Sequence, residues 1–289
     1  MRSIGLHLRL NSSLQEIMSV AQEYPLKSFQ CFFVASKTGK RLHIRYKDIK
    51  NFRKQRSQYA KDLYVHASYW TNLSSTKRVY HPVLEYELQV ARRLGFTHII
   101  LHPGSFGKKE TKREGIEALA RTLNYVMNKE EKIVFVLENI AHSNRSIGGN
   151  FFDFVYILRL LDFPERLQFC IDTAHAFAYG YNITTTKGRN SLIAEVERTI
   201  GIESVALIHM NDSKSRYGSN IDHHASLGKG YIKQESLKNF VLHEKLKHIP
   251  IILELPQLSM KEEIIILKEV YSWHHMSIVE KKSEKSLYI

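Results

Sequence analysis

The chain has 289 residues, 43% of them hydrophobic, enough for a sizeable core and a length that α/β barrels often use as one domain. Its net charge of +13, from 42 Lys and Arg against 29 Asp and Glu, points to an anionic partner: nucleic acid first, an anionic membrane second, with a solvated basic surface as the bland alternative. The only cysteines, Cys31 in FQCFF and Cys170 in LQFCI, read as small buried hydrophobes in a reducing compartment, so a cytoplasmic location is expected. MRSIGLHLRL reads as too short and too polar for a signal peptide, and no apolar run is long enough to span a membrane.

Short apolar, β-branched runs recur along the chain. They are residues 3–10 (SIGLHLRL), 28–35 (SFQCFFVA), 63–69 (LYVHASY), 98–104 (HIILHPG), 133–140 (IVFVLENI), 167–175 (LQFCIDTAH), 205–212 (VALIHMND) and 249–256 (IPIILELP). Near-continuous apolar runs suit strands buried on both faces. Helix-period segments lie between them. Leu14, Ile17, Met18 and Ala21 share one face, and Ser13 with Glu16 fits a capping box. Leu84, Leu88, Ala91 and Leu94 follow, with Gly95 as a helix stop. Ile116, Leu119, Ala120, Leu123 and Met127 form the next face, then Phe154, Val155, Leu158 and Leu161, then Leu192, Ile193, Val196 and Ile200. Less regular helices are expected at about 47–61, 234–247 and 260–273. Strand–helix alternation of this rhythm predicts a (β/α)8 TIM barrel spanning 1–289 as one domain, with a charged, frayed tail after about 275. A doubly wound open sheet is the structural rival, but LRLNSSLQE lacks the Gly-rich phosphate fingerprint that fold often carries after its first strand.

The predicted strands end in a pattern. The third ends with His66, the fourth with His102, the fifth with Glu138, the sixth with Asp172 and then His175, the seventh with His209 and the eighth with Glu254. In a barrel these ends converge on the catalytic face. A lone histidine there is commonly just hydrogen-bonded, but six consecutive strands ending in His, Glu or Asp suggest zinc or manganese ligands, since clustered carboxylates need cations. The loop after the seventh strand, NDSKSRYGSNIDHHASLGKG, adds Asp222 and His224, which point the same way if extended. Its Gly218, Gly228 and Gly230 would permit close backbone approach to a ligand.

These stretches resemble the endonuclease IV family of apurinic/apyrimidinic (AP) endonucleases, from IGLH to ILELP. LHPGS with LENIAHSNRSIGG, CIDTAHAFAYGYNI and HMNDSKSRYGSNIDHHASLGKG carry the likeness. The resemblance implies a TIM barrel that cuts double-stranded DNA 5′ to an abasic nucleotide in base excision repair, leaving a 3′-OH and a 5′-deoxyribose phosphate. It implies three zinc ions per chain, manganese being acceptable at some sites. His66, His102 and Glu138 would hold the first; Glu138 would bridge to a second held by Asp172, His209 and Glu254; His175, Asp222 and His224 would hold the third. Glu138, Asp172 and Glu254 would be the catalytic carboxylates, around a zinc-activated water. By the same resemblance Tyr69 and Trp70 would enter the DNA stack, where the family has a Tyr and an aliphatic residue. The family's Gln/Arg-rich probing loop, ending in Trp, is here ASKTGKRLHIRY, with neither Gln nor Trp; Lys37, Lys40 and Arg41 are left to contact phosphate, together with Lys214 and Arg216. The family's DRHH becomes Asp222-His223-His224-Ala225. A monomer with no membrane partner is expected. Rival functions are a metal-dependent sugar isomerase or epimerase on the same barrel, and a catalytically silent DNA-binding protein.

Overall fold

The structure is a computed structural model that describes residues 2–9, 14–24, 26, 28–35, 38–42, 44–55, 62–142 and 145–285, with side chains as far as 274. Eight strands close into a parallel barrel: β1 (Ile4–Leu8), β2 (Phe29–Cys31), β3 (Tyr64–His66), β4 (His98–Leu101), β5 (Val134–Glu138), β6 (Leu167–Asp172), β7 (Val205–His209) and β10 (Ile251–Leu253). The small antiparallel pair β8 (Asp212–Ser213) and β9 (His224–Ala225) stands apart from the barrel, in the loop after β7. β10 closes the ring by pairing with both β7 and β1. The helices are α1 (Leu14–Glu23), α2 (Tyr46–Gln55), α3 (Pro82–Leu94), α4 (Lys112–Lys129), α5 (Phe152–Leu158), α6 (Thr173–Tyr179), α7 (Thr186–Thr199), α8 (Gln234–Val241) and α9 (Met260–Lys285). The predicted barrel is therefore the observed one. No helix among the described residues is long and apolar enough to cross a membrane.

The helices form for the local reasons their sequences supply. Pro82 opens α3, and Gly95, in the left-handed conformation, ends it. Thr111 and Glu114 close a capping box on α4. Leu84, Leu88, Ala91 and Leu94 are buried, as are Ile116, Leu119, Ala120, Leu123 and Met127. In α5 the buried face centres on Phe154 and Ile157, not on Val155 and Leu158. Ser13, half of the expected α1 capping box, lies outside the described residues.

Several strands are shorter than their apolar runs predict. The sixth stops at Asp172 rather than at His175, because the Asp172 side chain accepts the His175 backbone N–H at 2.7 Å and caps α6. β4 and β10 stop one residue before His102 and Glu254. The helix expected to reach 247 ends at Val241, and α9 runs to Lys285, past the expected start of the tail.

Successive residues of a strand face opposite sides, so alternate ones line the barrel interior. Tyr64, Ile100, Val136, Cys170, Leu207 and Ile252 form one apolar cluster inside it. Each is followed, two positions later, by His66, His102, Glu138, Asp172, His209 or Glu254. Gly5 sits where β1 passes close beside Ser28, the residue before β2: a Cβ there would stand 2.2 Å from the Ser28 carbonyl oxygen.

Candidate metal centre

The inward register carries all six polar strand-end residues to the C-terminal mouth of the barrel, and four of them, His66, Glu138, Asp172 and His209, are buried. Glu138 lies at the middle. One oxygen faces His66 Nε2 at 3.2 Å and His102 Nε2 at 3.3 Å; the other faces His175 Nδ1 and His209 Nδ1, each at 3.1 Å. Potential donor atoms crowd into overlapping groups: His66, His102 and Glu138; Glu138, Asp172, His209 and Glu254; Asp172, His175 and His224; and His142, His175 and Asp222. In each group one atom per residue lies within 4.8 Å of the others.

Two further devices complete the mouth. Asp172 caps α6 and so brings His175 round on the helix's first turn, with its Nε2 3.2 Å from Asp222 Oδ2. The β8–β9 pair folds the long loop back, setting His224 Nε2 3.1 Å from Asp222 Oδ1 and 3.8 Å from Asp172 Oδ2. Buried Asp212 organises this loop by accepting the backbone N–H groups of Ser213, Gly230 and Ile232 at 2.8 to 3.0 Å. The loop glycines have a part in that folding. A Cβ on Gly230 would stand 2.3 Å from the Ser213 carbonyl oxygen, and Gly218 and Gly228 adopt positive φ.

The histidines are oriented from behind. His66 Nδ1 donates to the Ala67 carbonyl at 2.8 Å, His175 Nδ1 to the Asn139 carbonyl at 2.8 Å, and His224 Nδ1 to the Glu254 carbonyl at 3.3 Å. His209 Nε2 donates to Gln30 Oε1 at 2.9 Å, and His102 Nδ1 meets His142 Nε2 at 3.3 Å. Each ring thus has one nitrogen satisfied and the other aimed among carboxylates, the usual posture of a metal-ligating imidazole. The carboxylates are held likewise: Asn211 Nδ2 donates to Asp172 Oδ2 at 2.5 Å and to Glu254 Oε2 at 3.1 Å.

Six buried atoms of the candidate ligands nevertheless lack a hydrogen-bond partner, His102 Nε2, Glu138 Oε1, His175 Nε2, His209 Nδ1, Asp222 Oδ1 and His224 Nε2, as does Nε2 of neighbouring His7. Buried polar atoms are seldom left so, and seven of the twelve found among the described residues gather at this one mouth. The cluster fits divalent cations. Without them it is strongly polarised. Burial alone would raise Glu138, but the His209 and His102 rings outweigh it and hold that carboxyl well below the usual range. Burial would likewise lower His209, yet Cys170, Glu254 and Glu138 push it well above the ordinary histidine value. Burial raises Asp172, and the Glu138 and Glu254 charges add to it.

Sequence reasoning passed over four residues of the mouth. His7 and Gln30 end the inward rows of β1 and β2; Asn211 ties Asp172 to Glu254; His142 stands behind His102. The signal for the first two was the same two-residue register, read across all eight strands.

Of the residues expected to meet DNA, Tyr69 and Trp70 follow β3, which ends at His66. Trp70 is 63% exposed, whereas the Tyr69 ring packs on His66 and His102, with centroids 5.4 and 5.1 Å away. Lys40, Arg41, Lys214 and Arg216 are exposed. Arg41 lies over the Tyr86 ring at 4.9 Å, held against α3. Lys37 lies outside the described residues.

A parallel barrel whose mouth gathers a largely buried His/Glu/Asp cluster able to hold metal ions is a TIM barrel with a candidate metal centre, and a model of the xylose isomerase-like TIM barrel family matches residues 18–270. The chain is 30% identical to a probable endonuclease 4 of Thermosipho melanesiensis, over 89% of this chain and 93% of that one. It is 31% identical to an apurinic-apyrimidinic endonuclease of Caenorhabditis elegans, over 92% of this chain and 69% of that one. Endonuclease IV from Thermus thermophilus superposes with a TM-score of 0.80 at 27% identity, over 95% of this chain and 99% of that one. The chain belongs to the endonuclease IV family of AP endonucleases, and is a hydrolase of the nuclease kind. A D-tagatose 3-epimerase-like protein, with TM-score 0.68 and 18% identity, shares the fold alone.

Proposed function

We propose that this protein hydrolyses double-stranded DNA on the 5′ side of an abasic nucleotide, leaving a 3′-OH and a 5′-deoxyribose phosphate, with three zinc ions at the barrel mouth. The observation that carries the reading is the shared posture of His66, His102, His175, His209 and His224, each with one nitrogen engaged behind and one aimed at carboxylates. His66, His102 and Glu138 would hold one ion. Glu138, Asp172, His209 and Glu254 would hold a second, and His175, Asp222 and His224 a third. Zinc so held supplies charge neutralisation at the phosphate and a water whose pKa falls toward about 7.

The chain's own residues do the rest. Asp172 and Glu254 are fixed by Asn211, so they cannot swing away as a phosphate arrives. Tyr69, seated on His66 and His102, roofs one side of the site. No Ser or Lys nucleophile is required, so no covalent intermediate forms. Trp70 would fill the stack left by the extruded abasic nucleotide, an extrusion that costs least where the base is already missing. Lys40, Lys214 and Arg216 would contact phosphates, as would Lys37; Arg41 would first have to leave Tyr86. A sugar isomerase needs neither this many ligands nor a charge of +13.

Incubation of the pure protein with an abasic-site duplex and with the intact duplex tests the proposal, alongside elemental analysis. We expect nicking 5′ to the lesion only, and about three zinc or manganese ions per chain. A single weakly held ion would refute the trinuclear centre; failure to nick the abasic strand would refute the activity. Binding should also weaken steeply with salt, because phosphate contacts release counterions.

A further inference from the structure

Two strands contribute no candidate ligand to the mouth. Their inward rows end in His7 and Gln30, and Gln30 is fully buried. Its Oε1 lies 2.9 Å from His209 Nε2. Its Nε2 lies 2.6 Å from Glu254 Oε1 and 2.8 Å from His7 Nδ1. A carboxamide offers an accepting oxygen and two N–H donors, and here all three are used.

Each use has a consequence. The oxygen can only accept, so His209 carries a proton on Nε2 and turns Nδ1 toward Glu138 at 3.1 Å and Glu254 Oε2 at 3.5 Å, where a bound cation would replace any second proton. The nitrogen can only donate, so it secures Glu254 Oε1 and leaves Oε2 beside Asn211 and the cluster. The reverse amide orientation would set two oxygens against each other at 2.6 Å, which the Glu254 carboxylate forbids. One side chain therefore reaches from β2 to two ligand candidates that belong to different strands.

We infer that Gln30 is a positioning residue of the metal centre, setting the tautomer of His209 and the rotamer of Glu254 at one ion site. The inference rests on the proposed zinc centre. Partners of this kind typically change metal affinity by about 10–100-fold. A glutamine that merely filled the barrel would be replaceable by methionine, which is close in size and apolar.

The test compares wild type with Gln30→Met, which removes both contacts, and Gln30→Glu, which keeps an acceptor for His209 but loses the donor to Glu254. Zinc retained per chain is titrated against a chelator, and nitrogen NMR of labelled histidine reports the tautomers. We expect Gln30→Met to release one zinc at a chelator concentration about 10–100-fold lower than wild type, keeping the others. Its His209 signal should leave the Nε2–H position, whereas Gln30→Glu restores that signal without restoring zinc retention. Wild-type retention together with a wild-type His209 signal in Gln30→Met would overturn the inference. Should Gln30→Met fail to fold, wild-type zinc retention in Gln30→Glu would overturn it instead. A wild-type protein that binds no zinc would refute the metal centre itself, so the two failures are distinguishable.

Discussion

Two neighbouring layers of the barrel stand on the same strands, two residues apart, and differ in every respect that matters. The lower one, Tyr64, Ile100, Val136, Cys170, Leu207 and Ile252, is apolar and packs against itself. The upper one, His66, His102, Glu138, Asp172, His209 and Glu254, includes three buried atoms without a hydrogen-bond partner. A step of about 6.6 Å along the strands separates them. Burial stabilises the first layer at roughly 25 cal/mol per Å² of apolar area, whereas the second costs free energy until cations enter it. Stability is thus concentrated in one layer and chemistry in the next, and substitutions should separate the two.

The largest effect is expected in the upper layer. Glu254→Gln keeps the shape of a side chain whose two oxygens meet Gln30 and Asn211, but removes its charge. Cleavage of an abasic duplex should fall by about 10²–10³-fold, because preorganised charge acts mainly on the transition state. Affinity for the same duplex should change only a few-fold. Near-normal turnover would place Glu254 outside the chemistry and erase the contrast between the layers.

Stripping the cations should come next. An ion held at about a thousand times its Kd stabilises the fold by about 4 kcal/mol, so the stripped protein should melt well below the loaded one. Its pH dependence has a definite sign. Against burial, Asp172 and Asp222 hold His175 well above the ordinary histidine range, and Asp222 with Asp172 raises His224 to about 9. The native state binds those protons more tightly, so their contribution is complete below about pH 6.5 and is lost as pH climbs toward about 9. Also against burial, His175 and His224 depress Asp222, and His209 and His7 depress Glu254; those contributions are present above about pH 4.5 and fade on acidification. Calorimetry across about pH 2 to 9 should therefore show the stripped protein losing stability at both ends. A melting temperature insensitive to chelator at every pH would mean that the upper layer is complete without ions.

How much of this was readable beforehand follows from the same two layers. The lower layer is a set of apolar runs, and runs announce strands. The upper layer was legible where a charged or imidazole side chain interrupts the end of a run, as Glu138 does in VFVLE and His209 in VALIH. His7 and Gln30 obey the same register but sit inside the predicted strands 3–10 and 28–35, where a single polar residue looks like noise. Gln30 gains its meaning only from Glu254, 224 residues away in sequence. The start of α6 was misread because Asp172 is at once a candidate ligand and a helix cap, and no periodicity announces a one-turn change of direction.

Ile100→Ala tests the lower layer. Ile100 is fully enclosed, two residues before His102, and its truncation leaves a cavity between β3 and β5. Stability should drop by about 2–5 kcal/mol, with zinc content and turnover of the folded fraction retained. Loss of zinc in a folded Ile100→Ala protein would show that the two layers are not separable.

The smallest effect belongs to the rim, outside both layers. Glu87, fully buried in α3, accepts the Ser68 backbone N–H with both carboxylate oxygens, at 3.0 and 3.2 Å, and Ser68 Oγ accepts the Trp70 N–H at 3.3 Å. The turn after β3 is therefore fixed from below while the indole projects outward. Gly39, with φ of 66°, passes beside that indole: a Cβ there would stand 3.6 Å from its Nε1. An indole so placed offers a stacking surface, and its half-exposed neighbour Tyr69 packs one side of its ring on the histidines beneath it. Trp70→Ala should weaken binding to an abasic duplex by about 1–3 kcal/mol, the usual worth of one base–aromatic stack. The intact duplex offers no gap to fill, so its affinity should fall less, and zinc content should not change at all. Fluorescence anisotropy with the two duplexes at one salt concentration reads the difference. Equal weakening on both would assign the indole to packing against Gly39 and leave lesion recognition to the polar mouth alone.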